Sequence, residues 1–276
     1  MRTIWYEETL IAMIRIEIDG QAVDVERDTT ILQAARQLAI DIPALCHHAA
    51  VKPYSACRIC TVEVIRRGRS QLTASCSYPI REEIQVLTNS ERVIHARRVL
   101  MEVLLAQCPE SKDIRDLAHR LGVENTRFRT RGEGSNCILC GLCVRVCRDV
   151  IGVSAISFVN RGWKREVKTP FDAPSEVCIA CRACAHVCPT GAIQAEDISG
   201  NRMLSFWQTS RELQACASCG RPFAPGAEVQ HLTRGRDDLR ESLGICPQCR
   251  RTETGGRLER WTTSAQSRAI KDHGTP

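Results

Sequence analysis

The chain has 276 residues, 43% of them hydrophobic and 4% aromatic, with 17 cysteines and a net charge of +6. This length allows one to three domains with their own cores. No stretch approaches the roughly 18–20 apolar residues of a membrane span, and the first residues lack the pattern of a secretory signal. We therefore expect a cytoplasmic protein whose cysteines bind metal instead of forming disulfides.

Sixteen of the 17 cysteines fall into four groups of four, and Cys108 stands alone. The groups are Cys46, Cys57, Cys60 and Cys76; Cys137, Cys140, Cys143 and Cys147; Cys178, Cys181, Cys184 and Cys188; and Cys216, Cys219, Cys246 and Cys249. Disulfide frameworks do not fall into Cys-x2-Cys pairs of this kind, whereas thiolate metal sites do. The grouping predicts metal centres.

Residues 13–88 have the pattern of a β-hairpin followed by a helix and a cysteine loop. The alternating stretch MIRIEI ends at Asp19-Gly20, which is typical of a hairpin turn. Helical spacing starts at ILQAARQ, with Thr29 or Thr30 as the expected N-cap. The order predicts an α+β, ubiquitin-like β-grasp domain, the fold in which plant-type ferredoxins bind a [2Fe–2S] cluster.

The first cysteine group is the expected ligand set of this cluster. Its gaps are ten, two and fifteen residues, so the first gap is wider than the four residues of plant-type ferredoxins. Two histidines, His47 and His48, follow Cys46. A Rieske site would need histidines in place of two cysteines, but four cysteines are already present. We expect His48 to pack or hydrogen-bond near the loop.

Residues 89–130 are predicted to form a helical linker. RVLMEVLLAQ and IRDLAHRLGV each place leucines at helical spacing on one face. Cys108 lies between these segments and is expected to be a buried thiol or a residue at a helix end.

Residues 131–200 are predicted to be a domain with two [4Fe–4S] clusters. The third group, with Pro189 after its last cysteine, has the spacing of bacterial ferredoxins. The second group repeats that spacing, with Arg148 where proline is expected, and AISFVNRGWKREVKTPF between the runs is predicted to be a hairpin insertion. In two-cluster ferredoxins the fourth cysteine of a run binds the other cluster. The expected ligand sets are Cys137, Cys140, Cys143 and Cys188 for the first cluster, and Cys147, Cys178, Cys181 and Cys184 for the second.

Residues 210–252 contain the last group as two Cys-x2-Cys pairs, which is typical of a tetrahedral four-sulfur site. Zinc and a single iron both suit such a site. We favour structural zinc in a zinc-ribbon-like module, because rubredoxin-type iron sites usually lie among aromatic residues and Phe223 is the only one between the pairs. The polar tail, residues 253–276, is expected to be disordered.

The first two groups resemble a known family. IPALCHHAAVKPYSACRICTVEV and LTASCSYPI resemble the [2Fe–2S] domain of the large iron–sulfur subunit of complex I and of the diaphorase iron–sulfur subunit of bidirectional NiFe hydrogenases. CILCGLCVRVCRDVIGVSAISF resembles the first [4Fe–4S] run of the same subunits, in which proline is also missing after the fourth cysteine. The resemblance covers about residues 13–195. Many relatives bind a further cluster through one histidine and three cysteines in the linker; with Cys108 alone, we expect this cluster to be absent.

The resemblance implies an electron-transfer subunit with no catalytic residue of its own. The implied partners are a flavin-containing NAD(P)H-oxidising subunit and a hydrogenase, formate dehydrogenase or heterodisulfide-reductase-type subunit, with no nucleic acid. Two alternatives remain open: a stand-alone soluble polyferredoxin, and an iron–sulfur redox sensor.

Overall fold

The computed structural model describes residues 13–132, 134 and 136–272. The chain divides into two compact units, one made of Met1–Lys168 and Ala183–Ala192, the other of Thr169–Arg182 and Ile193–Pro276. The division falls inside the third cysteine group, between its second and third cysteines.

The first unit begins with a five-stranded mixed sheet. Its strands are β1 (Met13–Ile18), β2 (Gln21–Glu26), β3 (Thr61–Arg66), β4 (Arg69–Ala74) and β5 (Gln85–Leu87). Their order in the sheet is β2-β1-β5-β3-β4, and β1 runs parallel to β5. The β1–β2 turn lies at Asp19 and Gly20, whose φ angles are 48° and 82°. Such angles are those of a two-residue hairpin loop, so the predicted hairpin is confirmed.

A short helix, α1 (Ile31–Gln37), packs on this sheet. Thr30 is its N-cap: the Thr30 hydroxyl accepts a hydrogen bond from the backbone N–H of Gln33 at 3.3 Å. The Gln33 side chain accepts one from the Thr30 N–H at 2.9 Å, which completes a capping box. Ile31 is fully buried with Ile18 and the other sheet residues in one core, so burial of one apolar face holds the helix in place.

Two linker helices follow, α2 (Glu91–Gln107) and α3 (Lys112–Arg120). Met101 of α2 and Ile114 of α3 are fully buried in a second hydrophobic cluster. That cluster also contains Cys46 and Cys140. The two predicted linker helices are therefore present, and their core is shared by the first and second cysteine groups.

Short elements surround the second cysteine group. They are α4 (Leu142–Arg145), a π-helical turn (Val146–Val150), β6 (Ser157–Val159), β7 (Glu166–Lys168) and α5 (Ala183–His186). β6 and β7 pair antiparallel, which confirms the predicted hairpin insertion. α5 packs against α4 and the π-helical turn.

Among its described residues, the second unit contains a four-stranded sheet and three α-helices. Its elements are β8 (Glu196–Ile198), β9 (Asn201–Leu204), β10 (Thr209–Ala215), β11 (Pro222–Pro225), α6 (Gly226–Leu232), α7 (Arg240–Leu243) and α8 (Pro247–Asp272). The strand order is β11-β10-β9-β8, with neighbouring strands antiparallel. Across the residues described in both units, no helix is long and apolar enough to cross a membrane.

Two boundaries differ from those expected. The predicted domain end at residue 200 falls inside the β8–β9 hairpin, because Ser199 and Gly200 form its turn with φ angles of 49° and 77°. The tail from residue 253, expected to be disordered, is helical as far as Asp272 because α8 continues from the last cysteine pair. Arginine, glutamate and glutamine are good helix formers as well as polar, so polarity alone misled the prediction. Residues 273–276 lie outside the described residues.

Candidate metal centres

The first cysteine group converges on the loops next to β3 and β4. Cys46, Cys57, Cys60 and Cys76 are each at most 6% exposed. The Cys46 thiol is in hydrogen-bonding contact with those of Cys57 and Cys76, and Cys76 is in contact with Cys60. The contact with Cys57 is the largest cause that lowers the pKa of Cys46. Thiols that contact one another in pairs, with one favoured as thiolate, suit a thiolate-bound iron–sulfur cluster.

Two further hydrogen bonds reach this thiol group. The backbone N–H of Cys57 donates to Cys46 Sγ at 3.5 Å, and Ser55 Oγ lies 3.5 Å from Cys76 Sγ. Ser55 and Arg58 both have a φ angle of 59°. This left-handed backbone curls the loop, and such loops present N–H groups to anionic ligands.

The two histidines after Cys46 have different surroundings. Burial is the main cause that lowers the pKa of His47. His48 Nδ1 accepts a hydrogen bond from the backbone N–H of Ala50 at 3.2 Å. The predicted hydrogen bond of His48 near the loop is confirmed.

The second group has two buried members, Cys140 and Cys143, and two partly buried members, Cys137 and Cys147. Burial raises the pKa of Cys140 to about 12. The N–H of Leu139 donates to Cys137 Sγ at 3.4 Å, and the N–H of Ala155 donates to Cys147 Sγ at 3.3 Å. Donors aimed at sulfur stabilise the thiolate form that a cluster requires.

The second and third groups share a backbone conformation as well as a spacing. In each run, the residues two and four positions after the first cysteine are left-handed. Leu139 and Gly141 have φ angles of 54° and 72°, and Ala180 and Arg182 have φ angles of 51° and 64°. The internal repeat is therefore a repeat of loop geometry.

Arg148 lies in the π-helical turn that carries Cys147. The carbonyl of Cys147 accepts the N–H of Val153 at 3.0 Å. Arg148 itself pairs with the adjacent Asp149 at 2.6 Å, and its side chain is 59% exposed. A proline disrupts the interior of a helical turn, so the missing proline fits a turn that continues to residue 150.

In the second unit, two arginines of the C-terminal sheet hold the loop that begins the third group. Arg211 of β10 donates to the carbonyl of Cys178 at 2.9 Å and to two carbonyls just before it. Arg202 of β9 is 4% exposed and donates to the carbonyl of Ala180 at 3.4 Å. It also pairs with Asp197 at 2.8 Å, and this contact is the largest cause that lowers the pKa of Asp197.

The last group lies where β10 ends and α8 begins. The Sγ atoms of Cys216, Cys219, Cys246 and Cys249 all lie within 4.8 Å of one another. The N–H of Cys246 donates to Cys216 Sγ at 3.2 Å, and this bond is the largest of the causes that lower the pKa of Cys216 to about 6. The N–H of Cys249 donates to Cys246 Sγ at 3.5 Å. A compact set of four sulfurs suits one tetrahedral metal ion.

Cys108 is the C-cap of α2 and is fully buried. Burial raises the pKa of its thiol to about 12, and the nearby Cys137 adds to that rise. The expectation of a buried thiol at a helix end is confirmed.

Sequence reasoning missed three arginines that organise the cysteine loops. Arg145 is 7% exposed and donates to the carbonyl of Cys46 at 2.9 Å. Its only signal is a charge inside the otherwise apolar stretch between Cys143 and Cys147. Arg202 and Arg211 have no comparable signal, since their carbonyl partners lie 22 and 33 positions earlier in the chain.

Comparison with known families accounts for three of the four groups. Residues 12–91 match the family described as "2Fe-2S iron-sulfur cluster binding domain", and residues 136–192 match the family described as "4Fe-4S dicluster domain". The chain is an iron–sulfur protein. The two domains follow each other in the order expected from the motifs.

Curated relatives of the iron–sulfur protein are larger oxidoreductase subunits. It is 34% identical to NADP-reducing hydrogenase subunit HndD of Solidesulfovibrio fructosivorans, over 86% of this chain and 43% of the relative. It is 30% identical to NADPH-Fe(3+) oxidoreductase subunit alpha of Geobacter sulfurreducens, over 80% of this chain and 28% of the relative. It is 29% identical to the NADH-ubiquinone oxidoreductase 75 kDa subunit of Reclinomonas americana, over 83% of this chain and 35% of the relative. The chain thus spans 28–43% of the length of these relatives.

A solved structure has the same kind of fold. One chain of an NAD+-reducing [NiFe]-hydrogenase in the H2-reduced state matches with a TM-score of 0.56 and 29% identity. The match covers 65% of this chain and 86% of that chain. Together with the curated relatives, it confirms the resemblance to iron–sulfur subunits of complex I and of hydrogenases.

Proposed function

We propose that the iron–sulfur protein is an electron-transfer subunit of a multi-subunit oxidoreductase. It would carry electrons between a flavin-containing NAD(P)H-oxidising subunit and a hydrogenase, formate dehydrogenase or heterodisulfide-reductase-type subunit. The observation that carries the proposal is the match of both cluster domains, in order, to subunits named for NAD(P)-linked oxidoreductases. When bound, each cluster accepts and releases one electron.

The first cluster set follows from the thiol contacts around β3 and β4. Cys46, Cys57, Cys60 and Cys76 would bind the [2Fe–2S] cluster. Their burial, their mutual contacts and the donor from the Cys57 N–H support this set. The sheet order with α1 packed on it supports a β-grasp for this domain.

The two [4Fe–4S] sets follow from the repeated loop. Cys137, Cys140, Cys143 and Cys188 would bind one cluster, and Cys147, Cys178, Cys181 and Cys184 the other. The matching left-handed positions in the two runs support equal roles for their first three cysteines. The crossed assignment of each fourth cysteine rests on the bacterial-ferredoxin spacing.

The last group would bind structural zinc through Cys216, Cys219, Cys246 and Cys249. The short distances among their four Sγ atoms support a single ion in a closed site. This zinc-ribbon-like module would gain folding free energy from the metal. Its position supports a local role as well, because β10 carries Arg211 and runs directly into Cys216.

Metal and acid-labile sulfide analysis with EPR on anaerobically purified protein tests the cofactor set. We expect about ten iron, about ten sulfide and one zinc per chain, from one [2Fe–2S] and two [4Fe–4S] clusters. About fourteen iron would show a further cluster and contradict our assignment of Cys108. One additional iron in place of zinc would identify the last site as rubredoxin-like.

Purification from the native source without a tag at high salt separates a subunit from a free carrier. A subunit should elute together with a flavoprotein in constant ratio. A protein that elutes as a monomer and reduces several unrelated redox proteins at similar rates would instead be a stand-alone polyferredoxin.

A further inference from the structure

Arg145 is a buried cation placed between two cysteine groups of the first unit. Its guanidinium donates to the carbonyl of Cys46 at 2.9 Å, to the carbonyl of Lys52 and to the carbonyl of Gly141 at 3.3 Å. The first two carbonyls belong to the [2Fe–2S] loop, and the third belongs to the first [4Fe–4S] run. One side chain therefore joins two loops that are about 90 residues apart in sequence.

The charge of Arg145 forms no ion pair with a carboxylate among the residues that the structure describes. Its hydrogen bonds go to three neutral carbonyls, and its side chain lies over the Tyr54 ring at 5.2 Å. The nearest acidic neighbour in sequence, Asp149, is paired with Arg148. A buried charge without a paired opposite charge is costly, and an anionic cluster nearby would compensate it.

The anions available on both sides are cysteine ligands. Arg145 lies two positions after Cys143 of the first run, and it holds the carbonyl of Cys46. A cluster with four thiolate ligands has a net negative charge, which grows by one unit on reduction. A fixed cation next to such a group stabilises the reduced form, since local charge helps set cluster potentials.

An arginine–aromatic stack encloses this contact. Arg165 lies over the Phe158 ring at 3.9 Å and reaches the Tyr54 hydroxyl at 3.5 Å. Phe158 in turn covers Gly141, where a Cβ atom would come within 3.1 Å of the ring. The insertion hairpin thus packs against Gly141 at the junction, and the burial of Arg145, which is 7% exposed, strengthens electrostatic interactions there.

We propose that Arg145 is a shared positioning cation for the [2Fe–2S] cluster and the first [4Fe–4S] run. It fastens the Cys46 loop to α4 and raises the reduction potential of clusters on both sides. This inference rests on the proposed cluster ligands. If so, one side chain would act electrostatically on both cluster sites.

The test is EPR-monitored redox titration of the full chain with its clusters. Arg145→Gln and Arg145→Met remove the charge, Arg145→Lys keeps it, and Arg148→Gln is the matched control. Arg148 has the same charge but is exposed and paired with Asp149. We expect both neutral variants to lower the reduction equilibrium constant of the [2Fe–2S] cluster and of one [4Fe–4S] cluster about tenfold, or about 59 mV for one electron. Arg145→Lys and Arg148→Gln should shift it less than twofold.

Several outcomes would overturn the proposal. Unchanged potentials in a neutral variant with full iron content would do so, and so would Arg145→Lys variants that shift as far as Arg145→Gln. Both neutral variants could lose their clusters. In that case, an Arg145→Lys variant that keeps wild-type potentials supports the need for a cation. An Arg145→Lys variant that also loses its clusters would show that Arg145 is a purely structural residue. Wild-type protein without about ten iron would refute the cluster assignment itself, separately from the role of Arg145.

Discussion

The two [4Fe–4S] runs have the same spacing and the same left-handed loop positions, but different supports. The first run lies in a hydrophobic cluster with the linker helices, and Gln107 of α2 donates to the carbonyl of Cys137 at 3.2 Å. The second run is the third cysteine group. The loop that begins it accepts hydrogen bonds from Arg202 of β9 and Arg211 of β10. Spacing therefore determines the loop, while distant parts of the chain determine what stabilises it.

From this contrast we expect the C-terminal module to stabilise the loop at Cys178. The first run contributes Ile138, Cys140 and Leu142 to a hydrophobic cluster of its own unit. The loop at Cys178 accepts hydrogen bonds from Arg211 of β10, which ends at Ala215, directly before Cys216 of the four-sulfur site. A metal at that site would keep β10 in place, and β10 would keep the loop in place.

The largest expected effect comes from removing the last metal site with the double substitution Cys216→Ser and Cys249→Ser. Because metal binding supplies folding free energy in small modules, β10 should lose its position and with it the Cys178 loop. We expect zinc to be lost together with about four iron, while the [2Fe–2S] signal and one [4Fe–4S] signal remain.

Metal analysis and EPR of this double variant provide the check. Ser242→Ala is the control, because it lies in the same module and its exposed hydroxyl donates to the carbonyl of Leu239 instead of a cysteine. Retention of both [4Fe–4S] clusters in a zinc-free variant would show that the module is independent of the second run.

A smaller effect is expected from Arg211→Ala, which removes the donors to three carbonyls. Hydrogen bonds from charged groups each contribute about 1.5–3 kcal/mol, and about 1.4 kcal/mol corresponds to a tenfold change in rate. We expect iron release from one [4Fe–4S] cluster to a chelator to accelerate at least about tenfold, which is the change that the loss of one such bond corresponds to.

Time courses of iron release followed by absorbance measure this change. Arg236→Ala in the same unit is the matched control, since Arg236 is exposed and its side chain hydrogen-bonds with Asp238. Equal acceleration in both variants would mean that the loss of positive charge, and not the loss of the loop contacts, is responsible.

Much of this organisation could be predicted from the sequence, and the part that could not has one physical cause. The β1–β2 hairpin, the Thr30 cap and the insertion hairpin follow from local patterns of turn, cap and alternating residues. The cysteine groups follow from spacing. Contacts such as Arg145 with Cys46 join residues 99 positions apart, and no local pattern encodes them. The helical tail was mispredicted because polar composition fits helix and disorder alike.

A third prediction compares substitutions at the left-handed position that the two runs share, Gly141 in the first and Arg182 in the second. Gly141→Ala places a Cβ within 3.1 Å of Phe158 at a φ angle of 72°, so it should cost about 1–3 kcal/mol through backbone strain alone. Arg182→Gly relieves such strain, with a φ angle of 64°, but removes the ion pair with Asp197. We expect Gly141→Ala to lower the thermal midpoint of cluster loss, and Arg182→Gly to change it little.

Thermal melts followed by cluster absorbance compare these two variants directly. If Arg182→Gly lowers the thermal midpoint more than Gly141→Ala does, the ion pair with Asp197 contributes more to stability than the backbone strain at residue 182 costs. The second run would then be stabilised by this ion pair as well as by the hydrogen bonds of Arg202.

The smallest expected effect concerns the fourth cysteine of each run. Cys147 Sγ accepts the N–H of Ala155 at 3.3 Å, whereas Cys188 Sγ lies 3.6 Å from the Thr190 hydroxyl. A ligated thiolate can only accept, so Thr190 would be the donor, and hydrogen bonds to sulfur help set cluster potentials. Thr190→Val keeps the shape and removes the donor, so we expect the reduction equilibrium constant of one [4Fe–4S] cluster to fall by less than about tenfold. Thr190→Ser should keep the wild-type value. A shift shared by both [4Fe–4S] clusters would contradict the assignment of Cys188 to a single cluster, and it would place the fourth cysteines where both clusters respond to them.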